Sequence, residues 1–243
     1  MSIAIIGGTG AQDLFETLEF QQITSPFGKP SAKPARIVTG SEHGWFLPRH
    51  GRPHHIPPHR INYRANIHCL RTLGATRIIA INACGGVDPN LPPGSLVLPD
   101  QLIDYTWGRA HTFSDGGSAA LKHVEFSQPF AGPTRELIIE AASAVDVELT
   151  SAGCYGATQG PRLETAAEIR RLAADGCSLV GMTAMPEAAL AREAGLDYAC
   201  LCIVTNPAAG LTPEPISEDA IHQVLGESLK LVGRLLRAVF ERL

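Results

Sequence analysis

Short, wholly apolar runs recur along the chain and are separated by polar, glycine-rich turns and by longer amphipathic stretches. Ile3–Ile6, Ile78–Ile81, Leu179-Val180 and Tyr198–Val204 carry no polar break. Runs of that length read as strands buried on both faces. The pattern predicts strands at Ile3–Ile6, Arg77–Ala83, Glu148–Tyr155 and Tyr198–Val204, ending in a polar turn each time. Arg36–Thr39 and Trp45–Leu47 read as a strand pair around the Gly40–Gly44 turn, and Leu96–Leu98 as a short strand. Helical spacing marks Asn62–Leu73, Pro133–Val145, Thr165–Ala173, Pro186–Ala194 and Ser217–Leu243. In the last of these, Ile221, Val224, Leu225, Val232, Leu235, Leu236, Val239 and Phe240 form one stripe. Residues 21–35 and 105–133 read as irregular. Such alternation predicts a single α/β domain over residues 1–243, with a mainly parallel or mixed sheet flanked by helices.

In open α/β sheets, ligands meet the turns beyond strand ends, so the turns are where chemistry is sought. Val180–Glu187 is the richest of them. Thr183 offers a hydroxyl and a backbone N–H to an anion, and Met182 offers a polarizable surface to a ring. Pro186 suits a first helical turn, with Glu187 beside the positive helix end. Gly7-Gly8-Thr9-Gly10 and Asn82-Ala83-Cys84-Gly85-Gly86 are turns whose backbone N–H groups hold oxyanions in other proteins. The former also resembles the start of a dinucleotide site, although no clean strand ending in an acid follows it.

Pro48–Arg60 is the densest polar stretch, with Arg49, Arg52, Arg60, His50, His54, His55 and His59 among prolines that forbid a helix. No acid or cysteine stands beside these histidines at metal-ligand spacing. Two readings remain: a solvated basic loop, or an anion site with Arg49 as planar fork and His50 as donor. Glu164 falls in a loop or first helical turn, where the ordinary role is a surface charge. Thr205-Asn206-Pro207 is either an Asx turn or a polar strand end aimed at ligand.

Composition narrows the class. The 243 residues are 44% hydrophobic and 18% charged, with a net charge of -4. This is an ordinary soluble globular balance, and no basic stretch points to nucleic acid. Neither a signal peptide nor an apolar run of membrane-spanning length is legible. The 6 cysteines form no C-x-x-C pair and sit largely in apolar runs, which fits reduced thiols and a cytoplasmic protein.

Several motifs occur in a fixed order: Gly7-Gly8-Thr9-Gly10, Arg49-His50-Gly51, Asn62-Tyr63-x-Ala65-Asn66, Asn82-Ala83-Cys84-Gly85, His123 with Pro129-Phe130, Gly160-Pro161-Arg162, Gly181-Met182-Thr183-x-x-Pro186-Glu187 and Thr205-Asn206. In that order the chain resembles the purine nucleoside phosphorylases, above all their methylthioadenosine phosphorylase branch. The resemblance implies the fold of that family, and a homotrimer or dimer of trimers with active sites at subunit interfaces. It implies that a nucleoside and inorganic phosphate give a free purine and ribose 1-phosphate, with neither a metal nor an organic cofactor. By the same resemblance, Thr9, Arg49, His50, Ala83 and Thr183 hold phosphate, with Asn82 beside them. Met182 packs under the ribose. Leu163, Glu164 and Asn206 face the base, Ile221 walls the 5′ pocket, and His123 reaches in from a neighbouring subunit.

Departures from the methylthioadenosine enzymes sharpen the reading. Those enzymes usually carry an aspartate where this chain has Asn206, and a second where it has Ala208. Glu164 and Asn82 are as in the inosine and guanosine enzymes, and Leu163 replaces a common phenylalanine. The leading expectation is a 6-oxopurine phosphorylase acting on 5′-methylthioinosine, with Glu164, Asn206 and His50 as its working groups. The alternatives are an inosine/guanosine phosphorylase, a methylthioadenosine phosphorylase and, from another class, a nucleotide-binding dehydrogenase-type protein built on the Gly7–Gly10 turn.

Overall fold

The long apolar runs form the middle of a 10-stranded mixed sheet. The structure is a computed structural model that describes residues 2–8, 10–116 and 121–243. In chain order the elements are β1 (Ser2–Gly7), β2 (Glu16–Phe20), β3 (Ala35–Thr39), β4 (Glu42–Pro48), α1 (Tyr63–Thr72), β5 (Ala75–Gly86), β6 (Leu96–Val97), β7 (Gln101–Asp104), α2 (Pro133–Ala144), β8 (Cys154–Ala157), α3 (Ala166–Ala174), β9 (Leu179–Gly181), α4 (Ala184–Glu193), β10 (Asp197–Pro207) and α5 (Glu218–Phe240).

Parallel strands β1, β5 and β10 lie side by side, with β5 in the centre. Successive side chains alternate between faces. Ile3 and Ile5 of β1, Ile79 and Ile81 of β5, and Leu201 and Ile203 of β10 pack with α2 and α5. Ala4, Ile6, Ile78, Ala80, Cys200 and Cys202 face α1 and α4 on the other side. Both faces are covered, which is why these strands read as unbroken apolar runs. Each fully buried Ile or Leu contributes about 1.5–3 kcal/mol.

Side chains cap the helices. The Asn62 carboxamide accepts from the Ala65 N–H at 3.1 Å. At α3, Thr165 and Glu168 form a reciprocal capping box. Ser217 accepts from the Ala220 N–H at the start of α5. Each such cap satisfies N–H groups that have no partner within the helix.

The fold departs from the sequence reading in four places. Strands β2 and β7 lie where none is expected; β2 is an exposed edge paired with β3 and lacks a buried alternating face. The strand expected over Glu148–Tyr155 begins only at Cys154, because Gly153 takes φ +136° and breaks the extended run. Strands β5 and β10 run on through the turns expected after Ala83 and Val204. They stay paired to Asn206↔Gly85 and Pro207↔Gly86 past a bulge that follows Val204. Finally, α4 begins at Ala184 with a kink at Met185 (φ −113°, ψ 136°) before Pro186.

The Gly7–Gly10 turn leads into a short 3-10 turn, Ala11–Leu14, and then into β2. A dinucleotide fold needs a long helix there, with its N-terminus on the pyrophosphate. The dehydrogenase-type alternative therefore loses its structural basis.

Candidate active site

The ends of β1, β4, β5, β9 and β10 converge on one cavity of about 400 Å³. Arg49, His50, Asn82, Ala83, Leu163, Glu164, Met182, Thr183, Asn206 and Ile221 all line it. Thr9 lies outside the described residues. His123 is exposed and does not line the cavity of its own chain.

Strand β4 hands the chain straight to Arg49 and His50. Arg49 is buried, and its role differs from the expected fork on phosphate. Its Nε and Nη2 donate to the two carboxylate oxygens of Glu187 at 2.8 and 2.9 Å. Nη1 donates to the Ile81 carbonyl at 2.9 Å, and the second Nη2 proton points to the Ile6 carbonyl at 3.5 Å. One Nη1 proton remains for the cavity, on the side of Gly8. Glu187 is wholly buried too and also accepts from the Tyr198 hydroxyl at 3.0 Å. It is therefore an internal counter-ion to Arg49, a role beyond the helix-end charge that the sequence suggests. Burial alone would depress the Arg49 pKa, but the Glu187 carboxylate reverses this and raises it above its ordinary value.

His50 is neutral at pH 7. Burial, with Arg49 and His54 nearby, lowers its pKa to about 4, against the upward pull of the Ile56 carbonyl. Its Nδ1 lies 2.8 Å from that carbonyl. A carbonyl only accepts, so Nδ1 carries the proton and Nε2 is left as a lone pair. The expected donor is thus an acceptor, suited to the O–H of monohydrogen phosphate. His54 stacks on the His50 ring, with centroids 4.4 Å apart and planes within 6°.

Across the cavity, the Thr183 hydroxyl donates to Asn82 Oδ1 at 2.8 Å. Asn82 Nδ2 in turn points to Cys200 Sγ, also at 2.8 Å, which orients the amide. The Thr183 N–H faces the Tyr155 hydroxyl at 3.4 Å. An anion at Thr183 therefore exchanges with partners already in place. Ala83 is exposed within β5 and faces the cavity.

On the far side, Glu164 is fixed rather than waving in solvent. The Thr158 hydroxyl donates to its Oε1 at 2.6 Å, and among the described residues no donor reaches Oε2. Asn206 stands near the end of β10. Its Oδ1 accepts from the Thr205 hydroxyl at 2.9 Å, and its Nδ2 donates to the Pro207 carbonyl at 2.7 Å. One N–H and one lone pair of this amide remain for a ligand. Met182 packs over Gly160, whose φ is +56°; a Cβ there would lie 2.4 Å from the Met182 sulfur. Leu163 is 47% exposed at the rim.

Sequence reasoning missed Thr158, Tyr198, the Arg49–Glu187 pair and Arg109. One signal for Glu187 existed: it is the only acid in the apolar stretch Ala184–Ala191, and a charge so placed needs a buried partner. Arg109 lies in the irregular stretch and carried no such signal. It is buried and bonded to the carbonyls of Met182, which lines the cavity, and of Gln159, which lies behind Glu164 on the strand-end turn after β8.

The strand-end cavity and its polar groups on a mixed sheet have the size and chemistry of a small-molecule site. Residues 2–241 match the Phosphorylase superfamily, and the chain belongs to that family. It is 51% identical to a probable S-methyl-5′-thioinosine phosphorylase of Xanthomonas campestris, over 86% of this chain and 85% of that protein. It is 40% identical to the 6-oxopurine nucleoside phosphorylase of Pyrococcus furiosus, over 97% and 91% of the two chains. Among solved structures it superposes on methylthioadenosine phosphorylase from Schistosoma mansoni in complex with adenine. There the TM-score is 0.93 at 35% identity, covering 99% of this chain and 91% of that one.

Proposed function

We propose that the chain cleaves 6-oxopurine nucleosides with phosphate, acting first on S-methyl-5′-thioinosine to give hypoxanthine and 5-methylthioribose 1-phosphate. It is thus a pentosyl-transferring enzyme of purine salvage. The observation that carries this reading is Glu164, held by Thr158 in the same cavity as Asn206. The names of the Xanthomonas and Pyrococcus relatives support the same class of base.

The chemistry follows from where charge develops. The bond from C1′ to the purine nitrogen loosens and leaves the ribose cation-like. Phosphate, held by Thr9, Arg49, His50, Ala83 and Thr183, stabilises that cation and attacks it. His50 accepts the phosphate O–H. Electrons move into the purine, whose N7 takes up a proton from solvent, and the N7–H so formed donates to Asn206 Oδ1. Donors and acceptors aimed at transition-state charge give the rate. Inorganic phosphate is a co-substrate, and the residues named need no metal or organic cofactor.

Ile221 lines both this cavity and an adjoining one of about 500 Å³, an apolar contact for a 5′-methylthio group. The adjoining cavity also holds His54, Glu218 and His222. That polar rim favours the second reading, an inosine/guanosine phosphorylase that prefers a 5′-hydroxyl. Comparing methylthioinosine with inosine, each with and without phosphate, separates the two. The expected result is phosphate-dependent hypoxanthine release with higher kcat/KM for the methylthio substrate. Equal values, or a preference for inosine, would favour the second reading.

The active species is a homotrimer or dimer of trimers, with His123 donated to a neighbour's site; His123 is exposed on its own chain and free to do so. Neither nucleic acid nor membrane is a partner, and the cytoplasm is the working compartment. Light scattering at assay concentration is expected to give a multiple of three. A fully active monomer would contradict the shared site.

A further inference from the structure

One buried guanidinium, Arg109, bonds both to the segment that follows β8 and to the turn between β9 and α4. Arg109 Nη1 donates to the carbonyls of Met182 and Met185 at 2.8 and 2.6 Å and lies 3.3 Å from the Tyr63 hydroxyl. Nη2 donates to the Thr158 and Gln159 carbonyls at 3.2 and 2.8 Å. Nε donates to the Gln159 side-chain oxygen at 3.2 Å. All five N–H groups are thereby matched, and Arg109 is buried. Among the described residues no carboxylate forms an ion pair with it. Its acceptors are neutral: the Tyr63 hydroxyl, one carboxamide, and carbonyls from the two loops that follow β8 and β9, which also meet where the Thr158 N–H donates to the Gly181 carbonyl at 2.8 Å.

Those loops carry opposite ends of the reaction. Residues 158–159 sit at the root of the base side, where Thr158 also holds Glu164. The Met182 and Met185 carbonyls bracket Thr183, on the phosphate side, and the Met185 carbonyl lies at the kink that opens α4. We propose that Arg109 is a positioning residue that sets the separation between the base subsite and the phosphate subsite. This rests on the proposed phosphorolysis. Phosphate attacks C1′ from the face opposite the base, so the two loops must hold their ligands in one relative geometry. A misplacement near 1 Å costs about 100-fold in rate even when each ligand still binds. Lysine cannot substitute: three donors at one point do not span acceptors on two loops as a planar five-donor group does.

The test uses the full chain with Arg109→Ala and Arg109→Lys, folding being checked by circular dichroism and thermal melting. kcat and the KM values for nucleoside and phosphate are measured separately, with and without added guanidinium. The expected result is a kcat loss of about 100-fold in both variants, with each KM within about 5-fold of native. Guanidinium is expected to restore at least about 10-fold of kcat in Arg109→Ala and to leave native protein and Arg109→Lys unchanged. A folded variant with kcat near native, or a loss confined to one KM, would overturn the inference. So would an Arg109→Ala variant that guanidinium does not revive. If Arg109→Ala fails to fold, the kcat and KM split in Arg109→Lys decides. Native protein without phosphorolysis would overturn the functional reading and this inference together, whereas native activity with an unaffected Arg109→Lys overturns the inference alone.

Discussion

Glu187→Ala is expected to destabilise the folded protein by about 3–5 kcal/mol, because it strands the Arg49 guanidinium without a counter-ion. Arg49 and Glu187 are 1% and 0% exposed, and they face each other fork to fork. Once the carboxylate is gone, the guanidinium keeps only the Ile81 carbonyl and the longer contact to Ile6. The loss is to be read from urea unfolding of native and variant protein. Tyr198→Phe removes one neutral donor to the same carboxylate and should cost about 1.5–3 kcal/mol. A Glu187→Ala loss no larger than that of Tyr198→Phe would contradict the pair's structural role. The same geometry leaves Arg49 one N–H for the cavity rather than a fork: its charge is committed to holding the loop after β4 against α4.

The second large effect concerns the base. A 6-oxopurine presents N1–H as a donor and O6 as an acceptor; adenine reverses both. Glu164 Oε2 accepts only, which suits N1–H, while the spare Asn206 N–H suits O6. Facing adenine, Glu164 meets the N1 lone pair, and the Asn206 N–H meets the 6-amino group. Buried polar groups left unpaired cost roughly 1–3 kcal/mol each, more for a charge. Two such mismatches imply about 10³-fold discrimination. Asn206→Asp supplies a carboxyl that accepts from the 6-amino group and shares a proton with N7. It is expected to shift the hypoxanthine-to-adenine ratio of kcat/KM toward adenine by about 10²-fold, one mismatch being relieved. An unchanged ratio in a folded Asn206→Asp protein would show that Asn206 does not read position 6.

The buried architecture was legible because its signals are local. β1, β5 and β10 are apolar on both faces, and α5 shows its stripe in periodicity alone. The cavity was legible as a set of polar turns at strand ends. What escaped depends on contacts between distant segments. Glu187 finds Arg49 across 138 positions, and Arg109 meets Met182 across 73; neither separation leaves a trace in spacing. The His50 role reversed for a similar reason. Its residue type suggests a donor, and only the Ile56 carbonyl beside Nδ1 decides which nitrogen holds the proton. Strand ends were misplaced where β5 and β10 extend each other beyond their apolar runs, since pairing rather than side-chain pattern sustains them there.

The most direct measurement is kcat/KM of the native protein, in phosphate, for methylthioinosine against methylthioadenosine. These two substrates differ only at position 6 and its effect on N1. With Glu164 and Asn206 set as they are here, methylthioinosine is expected to win by about 10³-fold, with no turnover of either when phosphate is left out. Methylthioadenosine cleaved as fast as methylthioinosine would contradict the assignment of both residues.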